Sequence, residues 1–396
     1  MFSFDAIATL ALATLVLLLG QLVKNRIVFL SRYNLPAPVI GGLLAAIVLA
    51  IAKQQGWQIS FDSSLRTPMM LAFFTTLGFA ASLQLLKIGG RFVFIFLAIS
   101  SLAAVLQNVV GASAAVMMGL PALFGVLCGS VTLTGGPATG LAFAPQFEQA
   151  GVVGAEAIAV AAAMCGIIMG GIMGGPIGTL LIRRLQQQGL PLTATDDHSR
   201  HLPLDNIQTD NETRLLKSIG IILVAMWLGS FVSAGFKALE LTLPAYIGAM
   251  LVAALIRNID DKVQYLALSH TTLENLGGVA LSYFLVLSLM GLDLSQLVNV
   301  AVPIIVLVLL QVVLIGLLSM TLIFKYMGKD YQAAVTATGF YGFMMGTTAN
   351  AMANMDAFVQ RYSPAPRAYL VVPIVGAFFI DFVNTLLVQL CLVVLR

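Results

Sequence analysis

Long apolar runs recur along the whole chain, and they constrain its fold more than any other feature. Ile7–Leu19, Phe92–Leu106, Val152–Ile182, Val300–Phe324 and Tyr369–Leu395 are among them. Several reach the ~20 residues that an α-helix needs to cross a ~30 Å hydrocarbon core. Only 9% of the 396 residues are charged, against about 25% in a soluble domain. That is too little charge to cover a water-facing surface, so the residues predict an all-α polytopic membrane protein. The first run is expected to be a retained span: Asp5 precedes it, and Lys24 and Arg26 follow it, the reverse of a secretory leader. Cys128, Cys165 and Cys391 lie singly in apolar segments. They read as small packing residues, without metal or disulfide spacing.

Ten spans are expected, at about 5–23, 36–52, 68–86, 91–118, 152–182, 214–236, 243–257, 275–292, 299–325 and 367–395. Segments 121–147 and 330–358 are apolar but rich in Gly, Thr, Asn and Pro, which suits re-entrant hairpins. The polar stretch 183–213 reads as a cytoplasmic linker between an N-terminal half, 1–182, and a C-terminal half, 214–396. With the N-terminus outside, the inner loops hold 16 of the 20 Lys and Arg residues, leaving Lys53, Arg66, Lys237 and Arg396 outside. That bias predicts an even number of spans with both termini periplasmic.

Internal similarity relates the halves. LPAPVIGGLLAAIV at Leu35 resembles LPAYIGAMLVAALI at Leu243, LQNVV at Leu106 matches LQVVL at Leu310, and Thr179-Leu180-Leu181 matches Thr385-Leu386-Leu387. GPATGLAFA at Gly136 then falls beside GTTANAMAN at Gly346. An odd number of spans per half inverts the second half relative to the first, a secondary-transporter architecture. The two hairpins then enter from opposite faces.

Non-helical backbone is tolerated at membrane depth only where it lines a cavity or is buried in protein. Freed carbonyls can coordinate a hard cation such as Na⁺. Freed N–H groups at a half-helix N-terminus favour an anion. Thr134, Gly135, Gly136, Thr139, Gly346, Thr347, Thr348 and Asn350 fit a substrate site at the two tips, and Asn354 a place near Na⁺. Asp381 lies mid-span with Asn384 on the same helix face, a pair suited to Na⁺ or to a helix–helix hydrogen bond. Gln107, Asn108 and Gln311 are also intramembrane; substrate contacts and packing hydrogen bonds fit them equally. Asp293 and Glu156 fall near span ends, where solvation accounts for them. The glycines of Gly166–Gly178 favour tight helix crossings. His198, His201 and His270 fall in expected cytoplasmic loops, and no P-loop, voltage-sensor span or catalytic pair is evident.

Three stretches carry a specific resemblance: TLTGGPATG, GTTANAMANM and YLVVPIVGAFFIDFVNTLL. They resemble the bacterial sodium/glutamate symporter family, and the resemblance runs through nearly the whole chain. It implies Na⁺-coupled uptake of L-glutamate across the inner membrane, with no organic cofactor. It also implies ten spans in two inverted repeats, a homodimer and an elevator-type mechanism. Asp381 then fits either Na⁺ or the α-ammonium of glutamate. Spans 1, 2 and 7 are the expected scaffold. Pro137 stands where the family hairpin carries His, and Ala138 where it carries Gly, which bears on substrate range and pH response. The alternative is a Na⁺- or H⁺-coupled dicarboxylate or hydroxycarboxylate carrier; a channel or an intramembrane enzyme ranks below both.

Overall fold

A computed structural model describes residues 2–192, 211–238, 243–266, 268–297 and 300–395. Strand β1 (Phe2–Phe4) leads into α1 (Ala6–Arg26), α2 (Val28–Arg32) and α3 (Ala37–Gln54), and β2 (Ile59–Phe61) follows. Then come α4 (Arg66–Ala80), α5 (Leu83–Met117), α6 (Ala122–Val126), α7 (Gly136–Gln149) and α8 (Ala155–Gln187). After the polar stretch come α9 (Asn211–Ala238), α10 (Ala245–Val263), α11 (His270–Met290) and α12 (Ala301–Leu318). The chain closes with α13 (Phe324–Tyr326), α14 (Tyr331–Met344), α15 (Thr348–Val359), α16 (Pro366–Ile374) and α17 (Ile380–Val394).

Seven of these helices are long and apolar enough to cross a membrane, so the chain is a polytopic helical membrane protein. The other three expected spans differ from their sequence outline. Helix α4 has 15 residues. Helix α10 runs on through Arg257, Asp260, Asp261 and Lys262. The last span is interrupted by a π-helical turn at Val375–Phe379, just after Pro373, which joins α16 to α17. Proline removes a backbone donor, and a wider turn absorbs the resulting misfit.

The all-helical class holds, with one small addition: β1 and β2 pair in parallel, and Phe4 stacks on Phe61 at 5.6 Å. A three-residue strand carries too short an alternation to register in a chain dominated by apolar runs. The linker is also shorter than 183–213, because α8 continues to Gln187 and α9 begins at Asn211. Residues 193–210, with His198 and His201, lie outside the described residues.

The chain divides into two compact units. The first comprises residues 1–23, 37–88 and 200–292, and so holds α1, α3, α4, α9, α10 and α11. Its helices cross at glycines. A methyl group on Gly41 would lie 2.2 Å from the Val16 carbonyl oxygen, and one on Gly20 would lie 2.2 Å from that of Ala37. The same happens between α9 and α10, where a methyl on Gly248 would meet Gly229 O at 2.3 Å and one on Gly229 the Ala249 backbone at 2.3 Å. Gly229 follows Gly20 by 209 positions and Gly248 follows Gly41 by 207. Helices α3 and α10 both begin at the Ala of a Leu-Pro-Ala sequence, Ala37 and Ala245. The proline there is pre-set for a helix start.

A second pair of contacts obeys the same spacing. Gly78 of α4 approaches Met250 O of α10, and Gly42 of α3 approaches Leu289 of α11. Met250 is 208 positions after Gly42, and Leu289 is 211 after Gly78, so each contact is the other with the halves exchanged. At the end of α4, Asn258 donates to Ala81 O at 2.7 Å and Ser82 donates to the Asp261 carboxylate at 2.6 Å.

The second unit comprises residues 24–36, 89–199 and 293–396. It holds most of α5, both Gly/Thr/Asn-rich segments, α8, α12 and the interrupted last span. Helix α5 breaks at Gly90, whose φ of 55° and ψ of −148° are open to glycine alone. That break falls beside the boundary of the two units.

Candidate functional site: two interrupted helices

The segment expected as a hairpin at 121–147 is a broken helix. Helix α6 passes into a π-helical turn at Leu127–Val131, where Gly129 leaves helical geometry (φ −99°, ψ −130°), and α7 restarts at Gly136. Gly136 has φ +68°, a left-handed conformation that costs other residues about 1–2 kcal/mol. Pro137 follows in the first turn of α7, where a missing N–H costs nothing. Thus Pro137 is well placed as a helix starter.

The segment at 330–358 is built the same way. Asp330 caps α14 by accepting the Ala333 N–H at 2.7 Å. The helix ends at Met344, and Thr347 caps α15 by accepting the Asn350 N–H at 3.3 Å. Arg367 pairs with the Asp330 carboxylate, and its guanidinium lies 4.7 Å over the Phe92 ring. Helices α14 and α15 pack on each other and on α8.

The two breaks meet. A Cβ built on Gly136 would lie 3.7 Å from Gly346 O. Gln107 of α5, fully buried, bridges them. It accepts the Thr134 hydroxyl at 2.6 Å and donates to Met344 O at 3.0 Å. Gln311 of α12 donates to the Gln107 carbonyl at 2.8 Å. The two glutamines, 204 positions apart, therefore join one network. The N-terminal ends of α7 and α15 bring orphan N–H groups and positive dipole ends to the tips. Gly135, Thr347 and Thr348 are half-buried there, whereas Thr134, Thr139, Gly136, Gly346 and Asn350 are buried.

Asn350 and Asn354 act on α8. The Asn350 amide donates to Ile167 O at 2.7 Å, and that of Asn354 to Gly170 O at 3.0 Å and Thr338 O at 3.4 Å. Gly166, Gly170, Gly174 and Gly178 recur every fourth residue, so they line one face of α8. A methyl on Gly174 would meet the Asn354 amide at 2.2 Å, and one on Gly178 would meet Phe358 and Thr338 within 2.6 Å. The strip is thus the bed for α14 and α15, in keeping with the tight-crossing reading of the sequence.

Asn384 of α17 reaches the first break and donates to Ser130 O at 3.0 Å. Asn108 accepts the Ser130 N–H at 3.1 Å. Asp381, one turn before Asn384, is half-buried and has no hydrogen bond or ion pair among the described residues. Ser130 was missed by sequence reasoning. Its signal was the neighbouring Gly129 within an apolar run, which marks a backbone free to unwind. All the candidate residues fall in the second unit.

Interrupted helices with polar tips inside a multi-span helical protein define a membrane transporter rather than an enzyme. Residues 2–364 match the sodium/glutamate symporter family, and the chain belongs to that family. The sodium/glutamate symporter of Escherichia coli (strain K12) is 38% identical over 398 residues, covering 99% of this chain and 98% of that protein. That of Haemophilus influenzae is 37% identical over 407 residues, covering 100% and 99%. Asp381 and Asn384 lie beyond the family match but within the span shared with the Haemophilus protein.

Proposed function

We propose that this protein is a secondary active transporter that couples Na⁺ to the uptake of L-glutamate across the bacterial inner membrane. The observation that carries the reading is the meeting of the two interrupted helices at Gly136 and Gly346. Two half-helix N-termini give a dicarboxylate the donors it needs without an arginine cluster. Gly135, Thr347 and Thr348 are accessible enough to touch substrate. Gly136, Thr139, Gly346 and Asn350 shape the tips, and Thr134 with Gln107 and Gln311 holds them in register. Asp381, Asn384 and Asn354 are assigned to the cation side of the site.

Ten spans in two inverted repeats, with residues 121–147 and 330–358 as re-entrant hairpins, fit the repeat-related glycine contacts. The elevator reading rests on the division of the chain. Both interrupted helices share one unit, so that unit can carry the site as a body. Helices α1, α3 and α10, the expected scaffold, all belong to the other. Periplasmic termini follow from the loop charges, and a homodimer from the family resemblance.

Glutamate enters as a monoanion, and an inside-negative potential opposes it by about 2.3 kcal/mol per 100 mV. One Na⁺ cancels that cost. A second adds about the same amount of pull, so net uptake requires more than one Na⁺ per cycle to exploit the potential. Labelled L-glutamate uptake into proteoliposomes, with and without a Na⁺ gradient and at zero and inside-negative potential, tests this. Uptake that needs Na⁺ and rises with potential is expected. Uptake indifferent to both, or blocked by malate and not by glutamate, refutes it.

A further inference from the structure

The first break holds a set of buried oxygens that the tip-to-tip geometry does not use. Among the described residues, Ser130 Oγ and Asn384 Oδ1 there, and Gln311 Oε1 on the residue that bonds Gln107 O, have no hydrogen-bond partner, and all three residues are 0% exposed. The two amides are committed in the same manner. Each spends its NH₂ on a backbone carbonyl, Asn384 on Ser130 and Gln311 on Gln107. That fixes which end is the oxygen and turns the oxygen away from any donor. Two more oxygens crowd the unwound Gly129. A Cβ built there would lie 3.0 Å from Gln107 O and 3.1 Å from Asn108 Oδ1.

Buried acceptors with no donor are unfavourable unless something positive satisfies them. We propose that the unwound turn at Gly129–Ser130 is a monovalent-cation site for Na⁺, with Ser130 Oγ and Asn384 Oδ1 as direct ligands and Gln311 Oε1 beside them. Hard cations take oxygen ligands. The ligands are neutral, and the only carboxylate on the Asn384 face of α17 is Asp381, one turn away. One nearby negative charge balances a monovalent ion and leaves a divalent one uncompensated. The inference rests on the Na⁺-symport reading and moves the ion away from Asn354, whose amide is committed to Gly170 and Thr338. It also gives Gln311, whose NH₂ helps to hold the tips in register, a second role at the cation.

Ser130→Ala and Asn384→Ala test the site. Ser130 Oγ makes no hydrogen bond, so Ser130→Ala is expected to melt in choline chloride at the wild-type temperature. In the wild type, NaCl without glutamate is expected to raise the melting temperature of the detergent-solubilised protein. Both variants show a smaller rise at the same NaCl concentration. In proteoliposomes, the half-saturating Na⁺ for glutamate uptake by Ser130→Ala is expected to rise by about tenfold or more, the scale of one lost contact to a charged group. Its glutamate KM at saturating Na⁺ should stay near wild type. Wild-type uptake that ignores Na⁺ overturns the symport reading and the site together. Na⁺-dependent wild-type uptake with an unaltered Na⁺ response in Ser130→Ala overturns the site alone. So does a wild-type melting temperature indifferent to Na⁺, which would mean that water fills these valences.

Discussion

Gln107 is the side chain on which the two tips depend, and a double-mutant cycle with Thr134 measures that dependence. Gln107→Leu keeps the approximate volume and removes both side-chain hydrogen bonds. It leaves Met344 O without the Gln107 amide and the Thr134 hydroxyl with only the Met344 sulfur, a weak acceptor at 4.0 Å, in a buried site. Each unsatisfied buried group costs about 1–3 kcal/mol, so the single substitution is expected to cost about 2–6 kcal/mol at the tips. Thr134→Val removes one of the two bonds and costs about 1–3 kcal/mol. With both changes, the Thr134 hydroxyl is no longer there to be stranded. The Gln107 oxygen that Thr134→Val alone would strand is gone as well, so the double variant should be less impaired than the sum by about 2–6 kcal/mol, about 30-fold or more. The assay is Vmax/KM for glutamate uptake in proteoliposomes, with the melting temperature of each variant as a second readout. Thr134→Ser, which keeps the hydroxyl, should retain most activity. Effects that add to within about 0.5 kcal/mol would show that the two side chains act independently, and the bridge would be refuted.

Other outcomes follow from the same geometry. Gly136→Ala, with φ +68° and no atom closer than 3.7 Å to the new methyl, should cost about 1–2 kcal/mol from backbone strain alone, seen as a lower melting temperature and slower uptake. Gly174→Ala drives a methyl into the Asn354 amide; it should impair uptake as much as Asn354→Ala, and the two together should do little more harm than either. Gly41→Ala and Gly248→Ala each place a methyl 2.2–2.3 Å from a helix carbonyl in the first unit. Both should lower the yield of folded protein without changing the preference among substrates in competition assays. Asp330→Ala removes the cap of α14 and the partner of Arg367. It should destabilise by about 1–3 kcal/mol, with Asp330→Asn recovering the capping share.

The interruptions themselves were legible in the sequence. Gly, Thr and Pro in an apolar run have no reason to be there unless the backbone must leave the helix, and both segments recur at one spacing. Thr347 and Asp330 as caps follow from side chains that compete with the backbone for hydrogen bonds. Ser130 was not legible, because a serine in a helix usually bonds back to its own preceding turn. Only the unwinding at Gly129 and the approach of Asn384 from 254 positions away strip it of that partner.

The sequence by itself determined the membrane class and where the two helices break, and it sets Gln107 and Gln311 in similar stretches, LQNVV and LQVVL. These depend on composition, local conformational preference and periodicity, each carried by a short stretch of chain. The tertiary structure decided what the polar side chains do. Asn350 and Asn354 look like ligands in the sequence, yet their amide N–H groups bond carbonyls of the glycine-lined helix α8, 183 and 184 residues earlier. Which carbonyl meets which amide depends on how closely two helices approach. That distance is set by glycines on a different helix, so no local reading of either segment contains it.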